Sequence, residues 1–206
     1  MKLVVISDIH ESLDAVGALH AKLSGAGALV VCGDFTTFGG LARVQRIVDA
    51  VRLEGIPLYF VPGNCDSVPA DVSLEGGCNL HGRVLEHDGW LFAGLGGSLP
   101  CPGHTPSEYP EAAYAGLLDG IRGACESRAE RLILVSHQPP YGTEADLLPS
   151  GLHVGCHALR AFIDEVQPAC CLTGHIHEAV SESRVGRTVV LNPGPFSRGY
   201  IGVLTL

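Results

Sequence analysis

The chain reads as an α/β protein with two mixed β-sheets packed face to face and helices outside. Three observations predict this class. Short apolar runs ending in a polar cluster alternate with segments whose apolar residues recur at helical spacing. The first third is strand–helix–strand–helix–strand, an order that implies parallel strands joined by right-handed crossovers. The last third ends in three strands separated only by tight turns, which reads as antiparallel, and such a mixture fits two stacked sheets with outer helices.

In order, Lys2 to Ser7 is the first strand, followed by a helix carrying Leu13, Val16, Leu19 and Leu23, started near Ser12 or Asp14 and ended by Gly25. Ala28 to Cys32 is the second strand, and a helix carrying Leu41, Val44, Ile47, Val48 and Val51 follows the loop at 35–40. Leu58 to Val61 is the third strand, and residues 66–80 carry few signals. Arg83 to Glu86 and Trp90 to Ala93 read as a short hairpin or meander about Asp88-Gly89. The Gly- and Pro-rich stretch from Gly94 to Pro110 is a long loop, and loops of that length in a compact domain are usually functional. A helix over Glu111 to Ser127 leads to a strand from Arg131 to Val135, then to a loop at 138–152 and a helix holding Leu159, Phe162, Ile163 and Val166. Ala169 to Leu172, Ala179 to Val185, Thr188 to Leu191 and Ile201 to Leu206 are the remaining strands.

With 206 residues and no linker or repeat, residues 1–206 read as a single domain. Hydrophobic residues make up 46% and charged ones 17%, which excludes a disordered chain. No apolar run approaches the roughly 18 residues of a membrane span, and a cleaved leader would remove Asp8 and His10, so a cytoplasmic location is expected. The eight cysteines lack C-x-x-C pairing and several sit inside apolar strands, where they read as small buried hydrophobes. A net charge of −9 without a basic stripe argues against general nucleic-acid binding. It does not exclude a small anionic partner, because bound metals can dominate the local field.

Five strands end in a site-like cluster: Ser7-Asp8-Ile9-His10, Gly33-Asp34, Gly63-Asn64-Cys65-Asp66, Ser136-His137 and Gly174-His175-Ile176-His177. The carboxyl ends of strands are where open α/β sheets bind ligands. Alternation along an extended chain predicts that Asp8 and His10 share a side, as do His175 and His177. Two carboxylates, four imidazoles and one carboxamide suit borderline divalent ions, Mn, Fe, Co, Ni or Zn, rather than calcium or a thiolate zinc site. Asp34 is expected at the centre.

This ordered set resembles the calcineurin-like metallophosphoesterase family and spans nearly the whole chain. Gly-Asn-Cys-Asp at 63–66, Gly-His-Ile-His-Glu at 174–178 and Asn-Pro-Gly-Pro at 192–195 resemble its small prokaryotic phosphodiesterases. The resemblance implies a four-layer αββα sandwich and a dinuclear metal-dependent phosphoesterase, with a phosphodiesterase foremost. It implies that Asp8, His10, Asp34 and His177 hold one metal, and that Asp34, Asn64, His137 and His175 hold the other. A hydroxide bridging ions about 3.5–4 Å apart would attack phosphorus in line with the leaving group. With Asp8 and Asp34 ionised, such a site carries a formal charge of about +1 and attracts a small phosphate ester. A homodimer is compatible with the same resemblance.

The departure is Cys65, where many relatives have a histidine that protonates the leaving group. A thiol is a poor substitute, with a reference pKa near 8.5 against about 6.5 for imidazole. His153 is the first candidate for the missing acid and His104 the second, while Cys65 and His104 are also placed against substrate. Asp66 and Glu178 are expected to orient neighbouring ligands, and Arg198 is a weaker candidate for touching phosphate. Two alternatives stay open: a nucleotide or pyrophosphate hydrolase using the same centre, and a protein-binding scaffold. Retention of all seven ligand positions counts against the scaffold.

Overall fold

The computed structural model describes the backbone of residues 1–206 and every side chain except those of Glu126 and Ser127. The chain opens with β1 (Lys2–Ile6), α1 (Val16–Leu23), β2 (Ala28–Val31), α2 (Leu41–Val51) and β3 (Leu58–Phe60). β1 pairs parallel with β2, and β2 with β3, giving the predicted βαβαβ unit. Alternation along these strands explains why they read as unbroken apolar runs. Val4, Ile6, Leu29, Val31 and Phe60 face α1 and α2, while Leu3, Val5, Val30 and Tyr59 face the second sheet. A strand buried on both sides has no solvent face to mark with polar residues.

Beyond β3 lies a strand the sequence did not disclose, β4 (Cys78–Asn79), which adds parallel to β3 at the sheet's edge. Two residues are too few for any hydrophobic period to show. The hairpin of β5 (Val84–His87) and β6 (Trp90–Leu95) turns at Asp88 and Gly89. Both have positive φ, 49° and 75°, as a two-residue hairpin turn requires. After α3 (Glu111–Cys125), β7 (Leu132–Ser136) pairs parallel with β6. After α4 (His157–Val166), β8 (Cys170–Leu172) pairs parallel with β7.

The last three strands depart from the expected antiparallel trio. β9 (Ser181–Val185) and β10 (Thr188–Asn192) do form an antiparallel hairpin, but β10 lies parallel to β8. β11 (Gly202–Thr205) leaves that sheet altogether and pairs antiparallel with β1. The link from β10 to β11 is therefore a crossing between sheets, and it runs beside the first motif, with Phe196 N–H donating to Ser7 O at 2.7 Å. The resulting orders are β11-β1-β2-β3-β4 and β5-β6-β7-β8-β10-β9.

Phe92, Ile133, Val135, Cys170 and Leu172 meet the first sheet's inner face, where the Tyr59 and Phe92 rings stack at 4.4 Å. On the outer face Leu132, Leu134 and Cys171 pack against Tyr114, Leu118 and Ile121 of α3 and Leu159, Phe162 and Ile163 of α4. Helices, sheet, sheet and helices make the predicted four layers. Among the described residues no disulfide forms, and Cys32, Cys156, Cys170 and Cys171 are buried as small hydrophobes. No described helix is long and apolar enough to cross a membrane.

α3 forms despite Gly116, Gly120 and Gly123 because its buried stripe, not its propensity, holds it. A side chain at Gly120 would meet nothing within 4 Å. Gly120→Ala is therefore expected to raise stability by about 0.5–1 kcal/mol in urea denaturation, the usual gain from replacing a helical glycine.

Candidate metal centre

The five clusters converge at the carboxyl ends of β1, β2, β3, β7 and β8, bringing the two sheets' functional ends to one place. The local route is not the extended alternation expected. Asp8, His10, Asp34 and His175 have φ of 54°, 45°, 52° and 68°, so each lies in left-handed backbone. The chain after β1 wraps around the turn after β2: Asp8 N–H donates to Gly33 O, and Ile9 and His10 N–H both donate to Asp34 O. Left-handed conformations are unfavourable for residues with a Cβ and collect where function demands them. Glycine makes the approach possible. A Cβ on Gly63 would overlap the Asp34 backbone nitrogen and Oδ1, and one on Gly33 would come within 2.6 Å of His137 Nδ1.

Asp34 Oδ2 lies 3.8 Å from His10 Nε2 and 3.5 Å from His137 Nε2, between the two imidazoles. On the His10 side, His10 Nε2 is 3.3 Å from His177 Nε2, which is 3.2 Å from Asp8 Oδ1. On the other side, His137 Nε2 is 2.7 Å from Asn64 Oδ1. Potential ligating atoms of Asp8, His10 and His177, and of Asp8, Asp34 and His137, lie mutually within 4.8 Å. A third group, His10, Asp34 and Cys65, was not foreseen and brings a sulfur to the edge of the cluster. His175 stands outside these compact groups. Its ring packs edge-on to His137 at 5.1 Å, and the His175 backbone N–H donates to Asp8 Oδ2 at 3.2 Å.

The centre of the site is buried, with His10 and His177 partly exposed at its rim, and its charges are strongly shifted. Asp8, Asp34, Asn64 and His137 are 1%, 2%, 2% and 0% exposed. Burial raises the Asp34 carboxyl's pKa, but the adjacent His137 outweighs it and holds the group far below the usual carboxylate range. Burial would strip His137 of its proton; Asp34 reverses this and lifts His137 to about 9. Desolvation, with the charge of His137 beside it, lowers His175 to about 4, so that ring stays neutral. Asp8 Oδ1 is buried without a well-formed hydrogen bond, and His177 Nε2 stands 3.2 Å away with its pKa raised by the Asp8 carboxylate. Lone pairs of carboxylates, imidazoles and an amide thus face one another with too few protons between them. That donor set fits a divalent cation.

Neighbouring groups fix these side chains. His137 Nδ1 lies 2.6 Å from Cys32 O, so Nδ1–H donates there and Nε2 is left for the cluster. Thr37 Oγ1 sits 3.2 Å from His10 Nδ1 and steadies that ring with Nε2 toward the cluster. Asp66 is fully buried and accepts from Gly63 N, Phe35 N, Thr36 N and Thr36 Oγ1, tying the Asp34 loop to the Asn64 loop. Burial and then the Asp34 charge push its carboxyl up to about 7 in spite of those donors. Glu178 and Arg198 are exposed, and neither side chain makes a described contact with the cluster.

Two proton-donor candidates separate here. His153 is held by Asp146 at 2.7 Å and lines a different cavity of about 540 Å³ with Thr143, Arg160 and Arg184. No described hydrogen bond, ion pair or ring contact joins it to a proposed ligand. His104 is exposed, and the next residue, Thr105, accepts a hydrogen bond from Asn64 Nδ2 at 3.0 Å. Thr37, Thr105 and Glu108 were missed in the sequence. Isolated hydroxyls and acids in loops carry no periodic or motif signal.

The family model of the Calcineurin-like phosphoesterase superfamily domain matches residues 1–201. The uncharacterized protein MJ1162 of Methanocaldococcus jannaschii is 34% identical over 204 residues, covering 96% of this chain and 89% of that protein. Among solved structures, TT1561 of Thermus thermophilus has a TM-score of 0.74 at 19% identity, covering 99% of this chain and 98% of that one. Phosphopantetheinyl hydrolase of Mycobacterium tuberculosis has a TM-score of 0.63 at 16% identity, covering 96% and 90%.

The His137 shift fixes one pH response of the metal-free protein. Its folded pKa lies above the unfolded value of about 6.5. The stability it contributes is therefore complete below about 6.5 and lost as pH rises through about 9. The urea midpoint of metal-free protein should fall across that window, and His137→Asn should flatten the fall. A wild-type midpoint constant from pH 6.5 to 9 would contradict the assignment.

Proposed function

Since the chain belongs to the calcineurin-like phosphoesterase superfamily, we propose that it is a phosphoric ester hydrolase using two divalent transition-metal ions, with small phosphodiesters as its main substrates. The observation that carries this reading is Asp34 Oδ2 standing between His10 Nε2 and His137 Nε2. Asp8, His10 and His177 form one compact group, Asp8, Asp34 and His137 a second that overlaps it, and Asn64 Oδ1 meets His137 Nε2. In this assignment Asp8, His10, Asp34 and His177 hold one ion, and Asp34, Asn64, His137 and His175 hold the other. The nitrogen and oxygen donors suit Mn, Fe, Co, Ni or Zn. Bound ions of this kind supply Lewis acidity toward phosphoryl oxygens and lower the pKa of water.

The protein's own residues orient and exclude water. The Cys32 carbonyl and Thr37 hold His137 and His10 so that Nε2 of each faces the cluster. Burial, with Asp34 beside it, raises the Cys65 thiol well above its usual range, which unfits it as an acid. The leaving-group proton is assigned to His104, supported by its exposed place next to Thr105 at the Asn64 side of the site. The expected outcome is hydrolysis of bis-p-nitrophenyl phosphate that vanishes with chelator, returns with Mn²⁺, and falls at least about 10³-fold in Asp34→Asn. His104→Ala should slow alkyl esters by about 10²-fold while sparing nitrophenyl esters, as general acids typically do. Equal slowing of both would remove His104 from the role, and metal-independent activity would sink the whole reading.

A nucleotide ester is the second reading, favoured by Phe38. This aromatic is 56% exposed and held at φ 61°, with its N–H donating to Cys65 O at 2.9 Å. A bulky residue in left-handed backbone costs of order 1–3 kcal/mol and implies a compensating use. A planar base could stack on it. Phe38→Gly is expected to raise the melting temperature while raising KM for aryl and nucleotidyl esters, with alkyl esters unaffected. A lowered melting temperature with uniform KM would make Phe38 structural.

A further inference from the structure

Asn64 presents a problem that the proposed metal ligands do not solve by themselves. Its two amide ends are nearly the same size, and only the oxygen can ligate a cation. Something must keep the NH₂ end turned away.

The loop at 96–110 supplies that constraint. Asn64 Nδ2 donates to Thr105 Oγ1 at 3.0 Å. The Thr105 hydroxyl in turn donates to Glu108 Oε1 at 2.8 Å, and the same carboxylate oxygen accepts from Thr105 N at 2.7 Å and Cys101 Sγ at 3.1 Å. A hydroxyl has one hydrogen. Because the carboxylate claims it through a charge-assisted bond, the oxygen can offer Asn64 nothing but lone pairs. Only the NH₂ end of the amide can meet it, and with the second amide hydrogen directed at Cys65 Sγ, 3.6 Å from Nδ2, Asn64 Oδ1 is turned toward His137 Nε2 at 2.7 Å.

We propose that Thr105 and Glu108 are positioning residues which set the orientation of the Asn64 amide and so complete one of the two cation sites. The metal half of this inference rests on the dinuclear reading above; the orientation half does not. Glu108 acts at a distance of two hydrogen bonds, through the direction of one O–H. The loop does not need Thr105 to stay docked. Ser107 N–H donates to Asn64 O and Ser107 Oγ to Asp66 O, both at 3.1 Å, and Tyr109 N–H donates to Ser98 O at 2.8 Å. Removing the hydroxyl should therefore loosen the NH₂ end of the amide, leaving it a long bond to Cys65 Sγ and the oxygen's bond to His137 Nε2, and leave the fold intact.

The test compares Thr105→Val, Thr105→Ser and Glu108→Ala in the full chain. The first readout is calorimetric titration of metal-free protein with Mn²⁺ alone. Thr105→Val and Glu108→Ala should weaken one binding step by about 10- to 100-fold, the usual effect of losing an outer partner of a ligand. The other step and the metal-free melting temperature should hold, and Thr105→Ser should behave as wild type. The second readout needs no metal: the Asn64 side-chain amide hydrogens should exchange slowly in wild type and rapidly in Thr105→Val. Unchanged exchange in Thr105→Val, or failure of Thr105→Ser to restore it, overturns the proposal. So does a Mn²⁺ loss shared equally by both steps. If wild type takes up no Mn²⁺ while the exchange contrast appears, orientation stands and the dinuclear reading is what fails.

Discussion

Mutual repulsion among buried lone pairs is the constraint around which this molecule is built. Asp8 and Asp34 are both almost fully buried, with four imidazoles and an amide oxygen close by. Nothing in an apolar interior offsets such a gathering except positive charge. In the metal-free protein Asp34 holds a proton on His137 and Asp8 favours one on His177, which supplies part of it. A site that costs this much to assemble cannot rest on its own side chains. It has to be imposed by a scaffold whose stability comes from elsewhere, here the inner apolar layer between the sheets and the two outer helical layers.

The imposition is visible in the backbone. Strands are stiff but end where their pairing ends, so the turn after each strand decides where its polar tip goes. Four of the seven proposed ligands sit in left-handed backbone, and Gly33 and Gly63 have no room for a Cβ. These are local penalties accepted so that chain segments more than 100 residues apart can touch. Asp66 shows how they are held: one buried carboxylate gathers four donors from the loops after β2 and β3 and locks the two turns together. The link from β10 to β11 does a similar service for the first motif, bonding to Ser7 and Asp8 as it crosses between sheets.

Much of this was legible in the sequence because buried parallel strands leave a blunt mark: an apolar run, a turn residue, a polar tip. The βαβαβ unit and the five strand-end clusters follow from that mark, and the antiparallel hairpin from its Asp88-Gly89 turn. β4 was not legible, since two residues cannot display a period. The destination of β11 was hidden because a short segment after β10 gives no sign that it crosses to the other sheet. The D-x-H pair was read as extended, although alternation applies only while a strand stays paired, and β1 ends at Ile6. His153 was attractive for its place after His137 in the chain. Its partner Asp146, which holds it in a separate cavity, is an ordinary acid in a loop and carries no warning.

The same distinction explains where individuality resides in such a site. Ligands must meet ions of fixed size and preference, so their identities are constrained and their motifs are short and readable. What surrounds them is set by loops, and here one loop has two duties. Cys65 provides no imidazole next to Asn64, which leaves the proton for the leaving group to come from another segment. The loop carrying His104 is also the loop whose Thr105 and Glu108 turn the Asn64 amide. Under the proposed reading, ligand orientation and proton delivery are mechanically joined through one peptide unit. Loosening the loop would degrade both together, whereas in a site with histidine beside the asparagine the two could vary independently. On that same reading, cysteine at position 65 puts the control of catalysis in a loop, where only the folded chain displays it, and not at a strand end, where the sequence does.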